Sequence, residues 1–94
     1  MYRPLPTGLK IKDSEIEGQG LFTDIRLPKG LDLGPSHIKL DKRTWIRLPL
    51  GGFVNHSDKP NCKFKKENGV RYLKTLRYIK PGEELTVTYK WYKV

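Results

Sequence analysis

Glycine and proline residues interrupt this 94-residue chain so often that they leave little room for a long helix. Nine glycines and seven prolines are spread along its length, and no stretch shows sustained helical periodicity. Hydrophobic residues make up 36% of the chain, which is enough for one domain with a modest core. We therefore expect a single domain over residues 1–94, mostly β, built from short strands joined by tight turns.

Alternating apolar and polar residues predict where the strands lie. Residues 8–13 alternate leucine and isoleucine with lysine, which is the period-two pattern of a strand with one solvent-facing side. Residues 61–66 and 70–78 predict a hairpin around Glu67-Asn68-Gly69, because Asn-Gly accepts the positive φ angles of a type I′ turn. Shorter strands are expected at residues 21–23, 31–33 and 85–89, with turns at residues 17–20, 28–30 and 81–82, the last of type II.

Residues 41–48 are the best helix candidate in the chain. Asp41 is a suitable N-cap, Trp45 and Leu48 are three positions apart on one face of such a helix, and Pro49 would end it. We therefore expect at most two helical turns there and little helix elsewhere.

The composition favours an intracellular protein with acidic partners. The N-terminal residues contain no apolar run like that of a signal peptide, and no stretch approaches the roughly 18 apolar residues of a membrane span. Cys62 is the only cysteine, so we expect a reducing compartment (cytoplasm, nucleus or, for a viral protein, the host cell), no structural zinc and no membrane partner. The net charge of +9 favours nucleic acid, an anionic surface or an acidic protein, or simply keeps a small domain in solution.

The first candidate functional segment is EGQGLF, residues 17–22. Two glycines flanking one residue let a backbone approach a ligand closely and present its N–H and C=O groups. The third glycine and the long helix of a dinucleotide-binding fingerprint do not follow. Taken alone, the segment indicates a turn between strands.

The second segment is NHSDKPNC, residues 55–62, which directly follows the apolar pair Phe53-Val54. Its N-H-S sequence matches a glycosylation sequon, which matters only in a secretory protein. The adjacent serine and histidine would point to opposite faces of a strand, and no nucleophile elbow surrounds them, so nucleophilic catalysis is disfavoured. The bifunctional amide of Asn55 is better suited to holding a polar ligand or pinning a neighbouring chain segment.

The third segment is GEELTVTYKWY, residues 82–92, in which a β-branched strand ends at Tyr89. Its aromatic residues either pack against the core or place a phenol and an indole at the edge of a pocket.

In this order the three segments resemble the SET-domain family of protein lysine methyltransferases, and the resemblance runs from about Leu9 to Tyr92. It implies a β-clip fold of several small sheets with little helix and a C-terminal, knot-like chain crossing. It also implies that the stretch from Phe53 to Cys62 lies beside the stretch from Glu84 to Tyr89. Glu84 is then structural, and the polar residues Asn55, Ser57 and Asn61 supply hydrogen bonds to the crossing chain.

The resemblance also implies S-adenosylmethionine as the cofactor and direct, metal-free methyl transfer to a lysine amine of a protein substrate. The backbone around Gly18, Gln19 and Gly20 matches the contacts to the methionine part. Asn55 and His56 match residues that hold the methionine and adenine parts. Trp91 matches a residue that stacks on adenine, and Tyr89 matches the catalytic tyrosine.

The sequence departs from fuller family members in three places. Only Pro35 to Leu50 are available for the substrate-groove insert, the sequence ends five residues after Tyr89, and Gln19 replaces an aromatic residue often found between the glycines. Three possibilities stay open: a second subunit of a homo-oligomer completes the pocket, the domain binds the cofactor poorly, or the substrate supplies the missing parts.

A second function also stays open, namely a non-catalytic SET-like module that contacts nucleic acid or an acidic protein. Residues 63–80 intersperse lysine and arginine with Phe64, Tyr72 and Tyr78, a pattern that can bind phosphates and stack bases but also suits a solvated basic face. For an enzyme, the same charge would repel basic substrate tails, which makes an acidic or DNA-bound protein substrate an open alternative.

Overall fold

The computed structural model describes residues 5–88, which form one short helix and eight strands, and the strands are arranged in two four-stranded sheets. The elements are β1 (Leu9–Asp13), β2 (Gln19–Thr23), β3 (Asp32–Lys39), β4 (Trp45–Arg47), α1 (Pro49–Gly52), β5 (Asn55–His56), β6 (Cys62–Glu67), β7 (Val70–Thr75) and β8 (Glu84–Val87). The predicted mostly β architecture with little helix is therefore confirmed. Within these residues no helix has the length and apolar character needed to cross a membrane.

The first sheet brings the two ends of the described chain together in the order β1-β2-β8-β5. Strands β1 and β2 form an antiparallel hairpin, and β8 pairs antiparallel with β2. Strand β5 then pairs parallel with β8, with Asn55 opposite Thr86 and His56 opposite Val87. The expected neighbourhood of the segments starting at Phe53 and Glu84 is thus present. The part of the chain crossing beyond Thr88 lies outside the described residues.

The second sheet has the order β4-β3-β7-β6 and carries the predicted hairpin. Strands β6 and β7 pair from Cys62↔Thr75 to Glu67↔Val70. Asn68 and Gly69 have φ angles of 48° and 78°, which is the pair of positive values that a type I′ turn needs. The type II turn at residues 81–82 is also consistent with the structure, since Gly82 has a φ of 91° and the Glu83 N–H donates to Lys80 O at 3.1 Å.

Both sheets contribute aliphatic side chains to one core. Leu21 and Leu85 from the first sheet and Leu73 from the second are fully buried, as is Ile79 in the following loop. Burying each such side chain contributes about 1.5–3 kcal/mol. Cys62 is also buried there, and burial raises the pKa of its thiol to about 12, so it packs as a neutral apolar group.

The helix expected over residues 41–48 is wrong. The carboxylate of Asp41 accepts the N–H groups of Arg43 and Thr44, both at 2.9 Å, and so closes a turn. Trp45 and Ile46 then pair with β3, because aromatic and β-branched residues pack well on a pleated surface. Pro49 begins α1, where its missing N–H leaves no helical hydrogen bond unmade.

Strand boundaries also differ from those expected. The strand predicted at residues 31–33 continues as far as Lys39, because β-bulges between Asp32 and Gly34 and between Pro35 and His37 accommodate the glycine and the proline. Strand β2 begins at Gln19, so the turn that precedes it lies closer to residues 14–18 than to residues 17–20.

His37 is a buried titratable group of the second sheet. Its ring meets the Phe64 ring edge-on at a centroid distance of 5.1 Å, and its Nδ1 lies 2.9 Å from Ser36 Oγ. Burial, together with the charges of Arg71 and Arg47, lowers the pKa of His37 to about 4. The imidazole is therefore neutral at pH 7.

This lowered pKa predicts an acid-sensitive fold. Between pH 6.5 and 4 the unfolded chain binds a proton at His37 that the folded chain does not, so stability falls as the pH falls through this window. We expect His37 to account for a loss of about 3 kcal/mol in the free energy of unfolding. Urea unfolding at pH 7 and pH 4 measures this loss.

The two histidines of the chain provide the comparison. His37→Gln should be less stable at pH 7 but should lose about 3 kcal/mol less than the parent on acidification. His56→Gln makes the same change at an exposed position and serves as the matched control. If the stability of His37→Gln depends on pH as that of the parent does, the acid sensitivity does not come from His37.

Candidate functional site

A hydrogen-bonded carboxylate joins three distant segments in the first sheet. Glu84 opens β8, and its two oxygens accept from the Ser14 hydroxyl at 2.7 and 3.0 Å. The same carboxylate accepts from Asn55 Nδ2 at 2.8 Å. Hydrogen bonds to an ionised acceptor contribute about 1.5–3 kcal/mol each, so this group fixes the β1–β2 turn against β5 and β8.

The side-chain amide of Asn55 is oriented by the acceptors that surround its nitrogen. Besides Glu84, Asn55 Nδ2 lies 3.1 Å from Ser14 Oγ, 3.1 Å from Glu17 O and 3.4 Å from Gln19 O. The carbonyl oxygen Oδ1 accepts no hydrogen bond from residues 5–88. The contacts of Nδ2 hold the nitrogen end of the half-buried Asn55 side chain towards the β1–β2 turn and the Glu84 carboxylate.

The two glycines of residues 17–20 have different structural roles. A β-carbon at Gly20 would overlap the Glu84 carboxylate and would lie 3.1 Å from Ser14 Cβ. Gly18 has a φ of 47°, and a β-carbon there would meet nothing within 4 Å. The first glycine is thus required by its backbone conformation and leaves open space, while the second makes room for Glu84.

The polar residues that follow Val54 form hydrogen bonds to the neighbouring strand β8. Asn61 is buried, donates from Nδ2 to Glu84 O at 2.8 Å and accepts from the Thr86 N–H at 2.8 Å. The Ser57 N–H donates to Val87 O at 2.9 Å. These contacts explain why polar residues follow an apolar pair: the apolar side chains enter the core while the polar ones satisfy the adjacent backbone. The expected side-chain hydrogen bonds to the backbone of β8 are found for Asn61, whereas Asn55 bonds the Glu84 side chain and Ser57 contacts Val87 through its backbone, its hydroxyl accepting from the Lys59 N–H at 3.0 Å.

The structure brings together the predicted site residues that it describes. Gln19 O faces Asn55 Nδ2, and His56 is next to Asn55 on β5, with an exposed ring whose Nε2 lies 3.2 Å from Asp58 Oδ1. Gly18 and Gly20 flank Gln19. Tyr89 and Trp91 lie outside the described residues.

Ser14 is a site residue that the sequence analysis missed. Its Oγ accepts from the Ile16 N–H at 2.9 Å, and its own N–H donates to Gly18 O at 2.8 Å, so it also shapes the turn. A serine at the start of a turn is a recognisable local signal. Its partner Glu84 is 70 positions away, which no local pattern indicates.

The close approach of Glu84 predicts that Gly20→Ala is destabilising. The added methyl group must displace the carboxylate, and we expect a loss of about 2 kcal/mol in the free energy of urea unfolding. Gly52→Ala is the matched control, because a β-carbon there meets nothing within 4 Å, and its effect should stay within about 1 kcal/mol. Equal stability of the two variants would show that Glu84 does not need the space at Gly20.

Comparison with known proteins identifies the family. A family model described as the SET domain matches residues 12–90. The chain is also 29% identical over 106 residues to the histone-lysine N-methyltransferase of Schizosaccharomyces pombe that is specific for H3 lysine-37, covering 86% of this chain and 72% of the relative.

Solved structures show the same fold. A Plasmodium falciparum protein named as a histone methyltransferase superposes with a TM-score of 0.74 at 20% identity, covering 95% of this chain and 100% of that one. The methyltransferase domain of human PR domain-containing protein 2 superposes with a TM-score of 0.73 at 22% identity, covering 92% and 79%. The family match and the Schizosaccharomyces pombe relative favour a methyltransferase over a non-catalytic module. The motif order, the paired strands β5 and β8 and the family match together place this chain in the SET-domain family of protein lysine methyltransferases.

Proposed function

We propose that this chain transfers a methyl group from S-adenosylmethionine to a lysine of a protein substrate, with the cofactor bound at the β1–β2 turn and β5. The observation that carries the proposal is the oriented amide of Asn55. Its nitrogen is held by Glu84 and two backbone carbonyls, while Oδ1 accepts no hydrogen bond from residues 5–88.

The charges and shape of this region fit such a cofactor. S-adenosylmethionine carries an ammonium and a sulfonium group, and the carboxylate of Glu84 provides negative potential in a chain of net charge +9. Asn55 Oδ1 is suited to accept from the ammonium group. The open space beside Gly18 allows a ligand to approach the backbone of the turn.

The remaining roles follow from the matching motifs. The backbone of Gly18, Gln19 and Gly20 would contact the methionine part, and His56 the adenine part. Trp91 would stack on the adenine and Tyr89 would be the catalytic residue, although both lie outside the described part of the chain. Glu84 acts on the site by holding Asn55 and the turn in place.

The chain must stabilise a neutral lysine amine and align it. With an ordinary lysine pKa near 10.4, about one amine in 2,500 is neutral at pH 7, which corresponds to about 4.6 kcal/mol. When bound, S-adenosylmethionine supplies an electrophilic methyl group on a positively charged sulfur. Tyr89 and nearby backbone carbonyls would orient the nitrogen lone pair towards that methyl group, and such alignment supplies a large part of the acceleration.

A protein substrate in an intracellular compartment is supported by the Schizosaccharomyces pombe relative, which is named for a histone lysine. A second subunit that completes the pocket stays a prediction, which the mass of the protein in solution would test.

Asn55→Ala should weaken cofactor binding. Loss of a hydrogen bond to a charged group predicts a Kd about 10- to 100-fold higher, measured by calorimetry with S-adenosylmethionine. Asn68→Gly is the matched control, since it removes an asparagine amide from the β6–β7 turn, where φ is 48° and glycine is well tolerated. Unchanged affinity in Asn55→Ala would contradict the proposed site.

Tyr89→Phe should reduce methyl transfer at least about tenfold while leaving the cofactor Kd within about threefold of the parent value, because the lost hydroxyl orients the amine rather than the cofactor. Transfer of a radiolabelled methyl group to a lysine-containing protein measures the rate. Tyr78→Phe removes a hydroxyl group from a side chain that is 45% exposed and should leave the rate unchanged. Equal turnover in the two variants would exclude the catalytic role of Tyr89.

A further inference from the structure

The positive charge of the chain is concentrated on one of its two sheets. Residues 32–47 and 62–75, which contain the four strands of the second sheet, carry nine lysines and arginines but only three aspartates and glutamates. This sheet therefore holds +6 of the net charge of +9 in 30 of the 94 residues. The candidate cofactor site lies on the other sheet, so cofactor binding does not explain this distribution.

Three of these cations meet at one indole ring. Arg71 Cζ lies 4.2 Å from the centroid of the Trp45 ring, and Lys39 Nζ and Lys66 Nζ each lie 5.9 Å from it. The strand register explains this, because Lys39 is opposite Trp45 and Lys66 is opposite Arg71 on the same face of the sheet. We call these four residues the Trp45 cluster.

No ion pair joins an acidic residue within residues 5–88 to either lysine of the cluster, although the charge of Lys39 acts on the Asp41 carboxylate. Asp41 accepts the N–H groups of its own turn, and Asp32 accepts the Gly34 N–H at 2.8 Å. Glu67 directly follows Lys66 on β6, so its side chain points to the opposite face. The ion pairs found within residues 5–88 involve other cations, namely Lys10, His56 and Arg77.

Such an arrangement favours an anionic ligand. Like charges on neighbouring strands repel, and the electron-rich face of an indole offsets only part of this, by about 0.5–2 kcal/mol for each cation. Lys42, Arg43 and Arg47 are exposed on the adjoining turn and strand and extend the positive surface beyond the cluster. Their extent matches a ligand with several regularly spaced negative groups.

We propose that the Trp45 cluster, together with Lys42, Arg43 and Arg47, binds the phosphate backbone of duplex DNA. A duplex presents one phosphate per about 1.7 Å of helix axis, which suits a surface of several cations better than a few carboxylates do. Base stacking on Trp45 is disfavoured because cations already cover its ring. Binding is therefore independent of DNA sequence, and it would hold the enzyme near DNA-associated protein substrates.

Fluorescence anisotropy with a labelled 20-base-pair duplex tests this proposal. For about four phosphate contacts, the logarithm of the affinity should fall with the logarithm of the salt concentration with a slope of about −3.6, so that binding weakens about 150-fold between 50 and 200 mM salt. The double variant Lys39→Gln with Lys66→Gln should bind less tightly and show a slope of about −1.8.

A matched double variant separates the effect of the cluster on DNA binding from the effect of net charge. Lys29→Gln with Lys80→Gln removes the same charge from exposed positions outside the second sheet and should keep the parent's slope. Lys66→Glu, also at an exposed position, should abolish binding at 200 mM salt without lowering the unfolding midpoint, since it replaces a like-charge pair with Arg71 by an opposite-charge pair.

Three results would overturn the proposal. The first is the absence of saturable binding at 50 mM salt. The second is an equal loss of slope in both double variants, which would show that net charge alone attracts DNA. The third is a poly-glutamate peptide that displaces the duplex at an equal concentration of charge, which would identify an acidic protein as the partner instead.

Discussion

The carboxylate of Glu84 is the group on which the candidate site depends. It receives hydrogen bonds from Ser14 and Asn55, and the missing side chain of Gly20 gives it room. Each of these residues lies on a different segment, so one charged acceptor sets the separation of the β1–β2 turn, β5 and β8. Because charge-assisted hydrogen bonds are strong and directional, Asn55 is held with its nitrogen towards Glu84 and the turn.

The two sheets share a core but differ in charge. The first sheet places the carboxylate of Glu84 and the carbonyl groups of Glu17 and Gln19 around Asn55, which gives this region a negative potential suited to cationic ligands. The second sheet carries most of the net positive charge and gathers three cations at Trp45.

This separation removes a difficulty that the net charge of +9 raises for a lysine methyltransferase. A basic substrate tail is repelled by the second sheet but not by the region around Glu84. A polyanion bound at the second sheet would neutralise the repulsion and attract the same basic tail. The charge distribution therefore suits an enzyme whose protein substrate is itself associated with nucleic acid.

The sequence by itself determined the features that depend on local backbone preferences and on motif order: the turn at Asn68-Gly69, the mostly β composition and the family. It did not determine the secondary structure of residues 41–48, because pairing with β3 outweighed a local helix pattern. The contact between Ser14 and Glu84 and the cations around Trp45 were likewise decided only by the tertiary structure. The physical reason is that turn residues restrict their own dihedral angles, whereas strand partners and hydrogen bonds across 70 positions exist only once the sheets have formed.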